Sequence, residues 1–155
     1  MELEIRRADP QDLQFAYGLV SEYYDSLRVV ARDTRKAFAQ EYFRPRCGFW
    51  LAYANHQLAG CVALRALPAA GCSEIKRMYV RPPWRGAGIA QKLLEEVERF
   101  AEASGYSWIY LDTADEMKAA ARLYQRNGYQ PCERYNDNPQ AALFFRKPLT
   151  AALQP

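Results

Sequence analysis

Eleven consecutive residues at 80–90, Val-Arg-Pro-Pro-Trp-Arg-Gly-Ala-Gly-Ile-Ala, have the make-up of an anion-binding corner. Gly86 and Gly88 carry no Cβ, so the main chain can turn steeply and a ligand can approach it closely. An amphipathic run opens near Ile89, and a helix start presents N–H groups with no intrahelical partner at the positive end of the dipole. Arg85 adds a forked cation suited to phosphate oxygens. The chemistry these residues suit is the holding of a phosphate.

Other reactive groups are sparse. The single histidine, His56, lies in a predicted hairpin turn, which argues against a His-dependent triad and against zinc, so no metal is expected. Cys47, Cys61, Cys72 and Cys132 form no C-x-x-C pair and read as reduced core thiols. A net charge of +3 is too mild and too dispersed to point to nucleic acid. The 155 residues, 50% apolar and 25% charged, suit one domain over 1–155 with a core of its own. Charges at Glu2, Glu4, Arg6 and Arg7 stand where a secretory signal needs an apolar stretch. No window reaches the ~18 apolar residues of a membrane span. A cytoplasmic protein with no membrane or nucleic-acid partner is expected.

The elements that must position the corner follow from periodicity and punctuation. Residues 3–7 read as a strand, and Asp9-Pro10-x-Asp12 starts a helix to about Leu27. A second helix, from near Asp33 to Phe43, ends ahead of Pro45. Residues 49–54 and 57–67 form a hairpin about Asn55-His56, and 73–80 a third antiparallel strand. After the corner comes a helix with Ile89, Leu93, Leu94, Val97, Phe100 and Ala101 on one stripe, stopped by Gly105. Residues 107–111 form a buried strand parallel to 73–80 across a right-handed crossover. Thr113-x-x-Glu116 is a capping box for a helix ending at Asn127-Gly128. Strands 129–135 and 141–147 close the chain about Asn136-Asp137-Asn138-Pro139. The order is β-α-α-β-β-β-α-β-α-β-β.

A dinucleotide corner also uses glycines between a strand and a helix, and Asp112 ends the next strand where a ribose-binding acid would stand. Three details count against it. Gln91 occupies the third glycine position, residues 81–85 lengthen a turn that should be tight, and an antiparallel hairpin precedes the only βαβ unit. A P-loop lacks its Gly-Lys-Ser/Thr.

Val80-x-Pro82-x-x-Arg85-Gly86-x-Gly88-Ile89-Ala90 closely resembles the acyl-CoA loop of the GNAT N-acetyltransferase superfamily, whose core is Gln/Arg-x-x-Gly-x-Gly/Ala. Ala120-x-x-Leu123-Tyr124-x-x-x-Gly128-Tyr129 is similar to the family's later helix and strand. The resemblance implies an α/β (α+β) fold, a central mixed and mostly antiparallel sheet flanked by helices. It implies transfer of acetyl from acetyl-CoA to an amine, by a monomer or homodimer. The backbone of Met78, Tyr79 and Val80 would bond the pantetheine arm, and amides of Arg85, Gly86, Ala87, Gly88, Ile89 and Ala90 the pyrophosphate. Met117 departs from the pattern, since many members carry an Asn there, seven residues before the tyrosine.

The reaction needs a neutral amine, a stabilised tetrahedral oxyanion and a proton for the thiolate. By resemblance Tyr124 is the acid. Glu74, eleven residues before Arg85, resembles the strand glutamate that deprotonates the amine in histone-modifying members; the other reading pairs it with Lys76 or an arginine. Alternation puts Glu74, Lys76, Met78 and Val80 on one face. By resemblance, a bulge or splay of the strand at Met78 would free its N–H for the oxyanion. For the acceptor, Tyr23, Tyr24, Lys76, Tyr135, Asn136 and Asn138 are candidates. The cations Arg65, Lys76 and Arg77 on central strands need carboxylates, and a carboxylate-bearing amine such as an amino acid would supply one. The alternatives are a protein lysine or N-terminal acetyltransferase and a CoA-binding module without catalysis.

Overall fold

The computed structural model describes residues 1–29, 32–114 and 118–149. Seven strands form one sheet: β1 (Leu3–Arg7), β2 (Gly48–Ala54), β3 (Gln57–Ala66), β4 (Cys72–Val80), β5 (Trp108–Thr113), β6 (Gln130–Pro131) and β7 (Leu143–Pro148). Their spatial order is β1-β2-β3-β4-β5-β7-β6, and every neighbouring pair is antiparallel except β4 with β5. The helices are α1 (Leu13–Leu27), α2 (Arg35–Tyr42), α3 (Ile89–Ala103) and α4 (Lys118–Arg126). This is the expected mixed, mostly antiparallel sheet with its expected element order.

Strand alternation sends one set of side chains to each face of the sheet. Trp50, Val62, Leu64, Ile109 and Leu111 meet Leu93, Leu94 and Val97 of α3 and Leu123 of α4. On the other face Phe49, Leu51, Cys61 and Ala63 meet Leu19 and Val20 of α1 and Phe38 and Tyr42 of α2. Burying a Leu or Phe side chain contributes about 1.5–3 kcal/mol, so both faces are held by aliphatic and aromatic packing. The cysteines are all free thiols.

Local signals account for most boundaries. Asp9 and Asp12 form a capping box about a 3-10 turn at Pro10–Asp12 that leads into α1. Thr34 caps α2 through Ala37 N, one residue later than expected, because Asp33 turns its carboxylate toward Arg77. Asn55 and His56 both have positive φ, 49° and 65°, as a two-residue hairpin turn requires. The capping box to Glu116 falls outside the described residues.

Two expectations need correction. The strand over 129–135 shrinks to Gln130–Pro131 with one further bond, Cys132 N to Phe144 O. Pro131 has no N–H to give, and beyond it Tyr135 turns inward to reach Glu74. Second, β4 does not keep one face. The pairing steps from Ala63↔Lys76 to Cys61↔Tyr79, so Arg77 and Met78 together oppose Val62, and Arg77 takes φ 58°. This bulge inverts the alternation. Glu74 and Lys76 point with Arg65 and Asp112 toward the α1 side, whereas Met78 and Val80 pack into the α3 face. Among the described residues no helix is long and apolar enough to cross a membrane.

Candidate active site

The parallel pair β4–β5 is joined at only three positions, Cys72↔Trp108, Ser73↔Ile109 and Glu74↔Tyr110. Both strands then run on, to Val80 and Thr113, without pairing, so the sheet parts along its middle. A cavity of about 240 Å³ lies in the cleft. Tyr23 and Tyr24 of α1, Lys76, Arg77 and Met78 of β4, Asp112 of β5, Tyr124 of α4 and Asn138 of the last loop are on its walls.

At the end of β4 the corner takes the expected shape. Pro82–Trp84 makes a 3-10 turn, and Gly86 and Gly88 both sit at φ 82°, in the left-handed region that favours glycine. Gly88 is the cap of α3 and has no side chain to satisfy the first amides of the helix. A Cβ at Gly86 or Gly88 would meet nothing within 4 Å, so the space beside the main chain is open to a ligand. Arg85 Nε donates to Val80 O at 2.8 Å, which anchors the side chain beside the strand end, with the guanidinium 5.8 Å from the Tyr79 ring. Gln91 explains why no third glycine is needed. Its amide exchanges two hydrogen bonds with Asn127 at 2.9 and 2.8 Å, tying the start of α3 to the end of α4.

Tyr124 is 4% exposed, on the cavity wall, with its ring edge-on to Tyr129. Its hydroxyl has no hydrogen-bond partner among the described residues. Burial raises its pKa above the ordinary phenol value, and the charges of Tyr23 and Asp112 add to this. It therefore stays protonated at ordinary pH. Tyr23 is pushed up to about 12 by burial, against the pull of Arg77.

Glu74 is fully buried. Its Oε1 accepts Arg65 Nε at 2.8 Å, the cross-strand neighbour. Its Oε2 accepts the Tyr135 hydroxyl at 2.5 Å and Asn136 Nδ2 at 3.2 Å, with Lys76 Nζ 3.9 Å away. Both oxygens are thus occupied, and Glu74 is absent from the cavity wall. Tyr135, an acceptor-site candidate, is likewise turned onto Glu74, and its pKa rises through burial and that carboxylate.

The cations meet their carboxylates within the chain. Arg65 also reaches Glu41 at 3.3 Å, Lys76 lies 3.5 Å from Asp112, and Arg77 donates to Asp33 at 3.2 Å while resting 5.0 Å from the Tyr24 ring. Among the described residues Arg77 Nε, like the Tyr42 hydroxyl, is buried with no partner. Asp33 and Asp112 were not singled out as acceptor-site residues by sequence pattern. Asp33 lies in a loop without periodicity, and Asp112 had a signal only as the acid ending β5. Met117 lies outside the described residues.

Known proteins of this shape and sequence fit the same description. A Staphylococcus aureus acetyltransferase of the GNAT family superposes with a TM-score of 0.82 at 21% identity, over 96% of this chain and 100% of that one. An N-acetyltransferase of Thermoplasma acidophilum in complex with coenzyme A gives 0.75 at 18% identity, over 96% and 99%. In sequence, an N-acetyltransferase of Schizosaccharomyces pombe is 38% identical over 84% of this chain and 83% of its own length. Aminoalkylphosphonate N-acetyltransferase of Salmonella typhimurium is 29% identical over 82% and 84%. N-acetylaspartate synthetase of Danio rerio is 30% identical over 81% of this chain, which spans 50% of that relative. The sequence model of the Acetyltransferase (GNAT) family matches residues 13–129, from the start of α1 through the parted strands, the glycine corner and Tyr124, so this chain belongs to the GNAT family of acetyl-CoA-dependent N-acetyltransferases.

Proposed function

We propose that the acceptor is a small amine that also bears an anionic group, an amino acid or a compound of similar charge. The observation that carries this reading is the charge of the cavity wall, where Arg65 of β3 and Lys76 and Arg77 of β4 stand against two carboxylates, Asp33 and Asp112. The surplus cation favours an anion in the cavity, and a hydrogen bond to a charged group is worth about 1.5–3 kcal/mol. The names of two relatives, N-acetylaspartate synthetase and aminoalkylphosphonate N-acetyltransferase, each join an amine to an anionic group, which supports the same class.

In this reading the free amides at Gly86 to Ala90 and the Arg85 side chain hold the pyrophosphate of acetyl-CoA. The unpaired edge of β4 at Met78, Tyr79 and Val80 holds the pantetheine arm. The thioester then lies in the cleft, where Tyr124 donates its hydroxyl hydrogen to the departing sulfur. The ladder is interrupted at Arg77 and Met78, and in this reading the Met78 N–H serves the carbonyl oxygen.

Release of CoA thiol would be followed across panels of amino acids, aminoalkylphosphonates, polyamines, aminoglycosides and lysine peptides. Turnover is expected for the anionic amines, at kcat/KM at least tenfold above the polyamines. A protein that turns over only peptides or polycations would overturn the acceptor class. One that binds acetyl-CoA and acetylates nothing would support a binding module.

A further inference from the structure

Two buried carboxylates lie near the cleft, and their hydrogen bonds differ in a way that decides which can touch an acceptor. Glu74 has donors on both oxygens and no surface on the cavity. Asp112 lines the cavity, with its side chain 8% exposed. Its three partners all converge on one oxygen: Asn136 Nδ2 at 2.6 Å, Asn138 Nδ2 at 3.4 Å and Lys76 Nζ at 3.5 Å all reach Oδ2. Among the described residues Oδ1 has no donor, and it is not among the sealed, unpartnered atoms of the interior. The charge of Asp112 also reaches Tyr124 and Tyr23, so the carboxylate stands in the same chamber as the presumed proton donor.

We propose that Asp112 Oδ1 receives the ammonium of the acceptor and removes its proton, with Glu74 acting behind it as a positioning residue. Asn136 links the two, since its Nδ2 donates to both Glu74 Oε2 and Asp112 Oδ2. Glu74 thereby fixes the loop that fixes Asp112. The inference rests on the acetyltransferase reading above but not on which anion the acceptor carries.

The acceptor enters as an ammonium, Asp112 takes one proton, and that proton passes to solvent. The neutral nitrogen forms the C–N bond at the thioester carbon, and the carbonyl electron pair moves to oxygen. When the carbonyl re-forms, the C–S bond breaks with its electron pair on sulfur. Sulfur takes the Tyr124 proton, and the second surplus proton on nitrogen goes to Asp112 and returns through solvent to Tyr124. The products are the acetamide, CoA thiol and one proton.

The test is Asp112→Asn, which keeps the shape and removes the proton acceptor. Besides Lys76, the ionisable groups facing Asp112 are Glu74 and Arg77 on β4, Tyr23 on α1, Tyr124 on α4 and Tyr135 in the last loop. A lost general base is worth about 10²–10⁴-fold, so kcat/KM at pH 7 is expected to fall within that range while the Kd for acetyl-CoA stays within twofold. The deficit should narrow as pH rises toward the pKa of the acceptor, because the free amine then needs no base. Asp112→Glu should recover part of the rate, and it also serves if the Asn variant does not fold. A rate within threefold of wild type in Asp112→Asn would overturn the assignment, as would a deficit that persists at high pH. Failure of the acetyltransferase reading looks different: the wild-type protein itself would acetylate no amine.

Discussion

Replacing Glu74 by Gln separates a buried scaffold from a proton acceptor. The carboxylate is fully buried and takes hydrogen bonds from Arg65, Tyr135 and Asn136, with Lys76 at 3.9 Å. A carboxamide offers one acceptor oxygen in place of two. With Oε1 kept toward Arg65, the new NH₂ faces Tyr135, whose hydroxyl can rotate to accept, and Asn136 and Lys76, which cannot. Removing one partner of a buried ion pair costs about 3–5 kcal/mol. The Arg65 side chain is 32% exposed, so water can solvate part of it and the cost belongs at the lower end, about 3 kcal/mol. At about 2–4 °C per kcal/mol for a chain of this size, the melting temperature should fall by about 10 °C. Urea unfolding gives the free energy directly, and acetylation well below the new melting temperature gives the rate. A loss under 1 kcal/mol would refute the scaffold argument. A thousandfold loss of kcat/KM in a variant of unchanged stability would assign proton removal to Glu74.

Tyr124→Phe removes a hydroxyl that has no partner among the described residues, so stability should change by less than about 1 kcal/mol while kcat falls 10- to 100-fold at little changed KM. Steady-state kinetics beside a melt decides this, and an unaltered kcat would remove the donor role. Gly88→Ala puts a Cβ at φ 82° with no neighbour within 4 Å. The cost, about 1–2 kcal/mol, is conformational, and acetyl-CoA affinity measured by calorimetry should drop as the methyl enters the open space. Alkaline titration reports the buried phenols. Tyr23 is raised to about 12, and Tyr24, Tyr42, Tyr124 and Tyr135 are raised by burial as well. An unfolded chain releases these protons near pH 10, so the contribution to stability is full below about pH 10 and is lost as pH rises toward 12. Phenolate absorbance from these five should therefore appear together with unfolding, and their ionisation in a folded protein at pH 10 would contradict it.

The glycine corner, the stripe of α3 and the Asn55-His56 hairpin were legible because each is set by neighbours within a few residues. The bulge was expected at Met78 by resemblance alone, and the change of face that it brings was not legible. The doublet Lys76-Arg77 breaks the alternation of polar and apolar types, but only the pairing against Val62 reveals that β4 changes face there. The contrast between Glu74 and Asp112 was equally hidden. Both are acids on central strands, and what separates them is that Arg65 and Tyr135 fill both oxygens of Glu74, Tyr135 turning inward from 61 residues further on. The strand expected over 129–135 was overextended by its aromatic and β-prone residues, since propensity does not foresee a side chain recruited into an ion-pair network.

A sheet that parts after three paired residues has two borders in its own interior, where other sheets keep them at the rim. Backbone groups along such a border are matched by any extended chain that carries amides. A ligand of that kind entering there would work as a missing strand, added to the α3 packing and the Lys76–Asp112 pair that already span the cleft. Folding and ligand uptake then draw on the same contacts. A ligand at a hundred times its Kd adds about 2.7 kcal/mol to the free energy of unfolding, comparable to the whole Glu74 network.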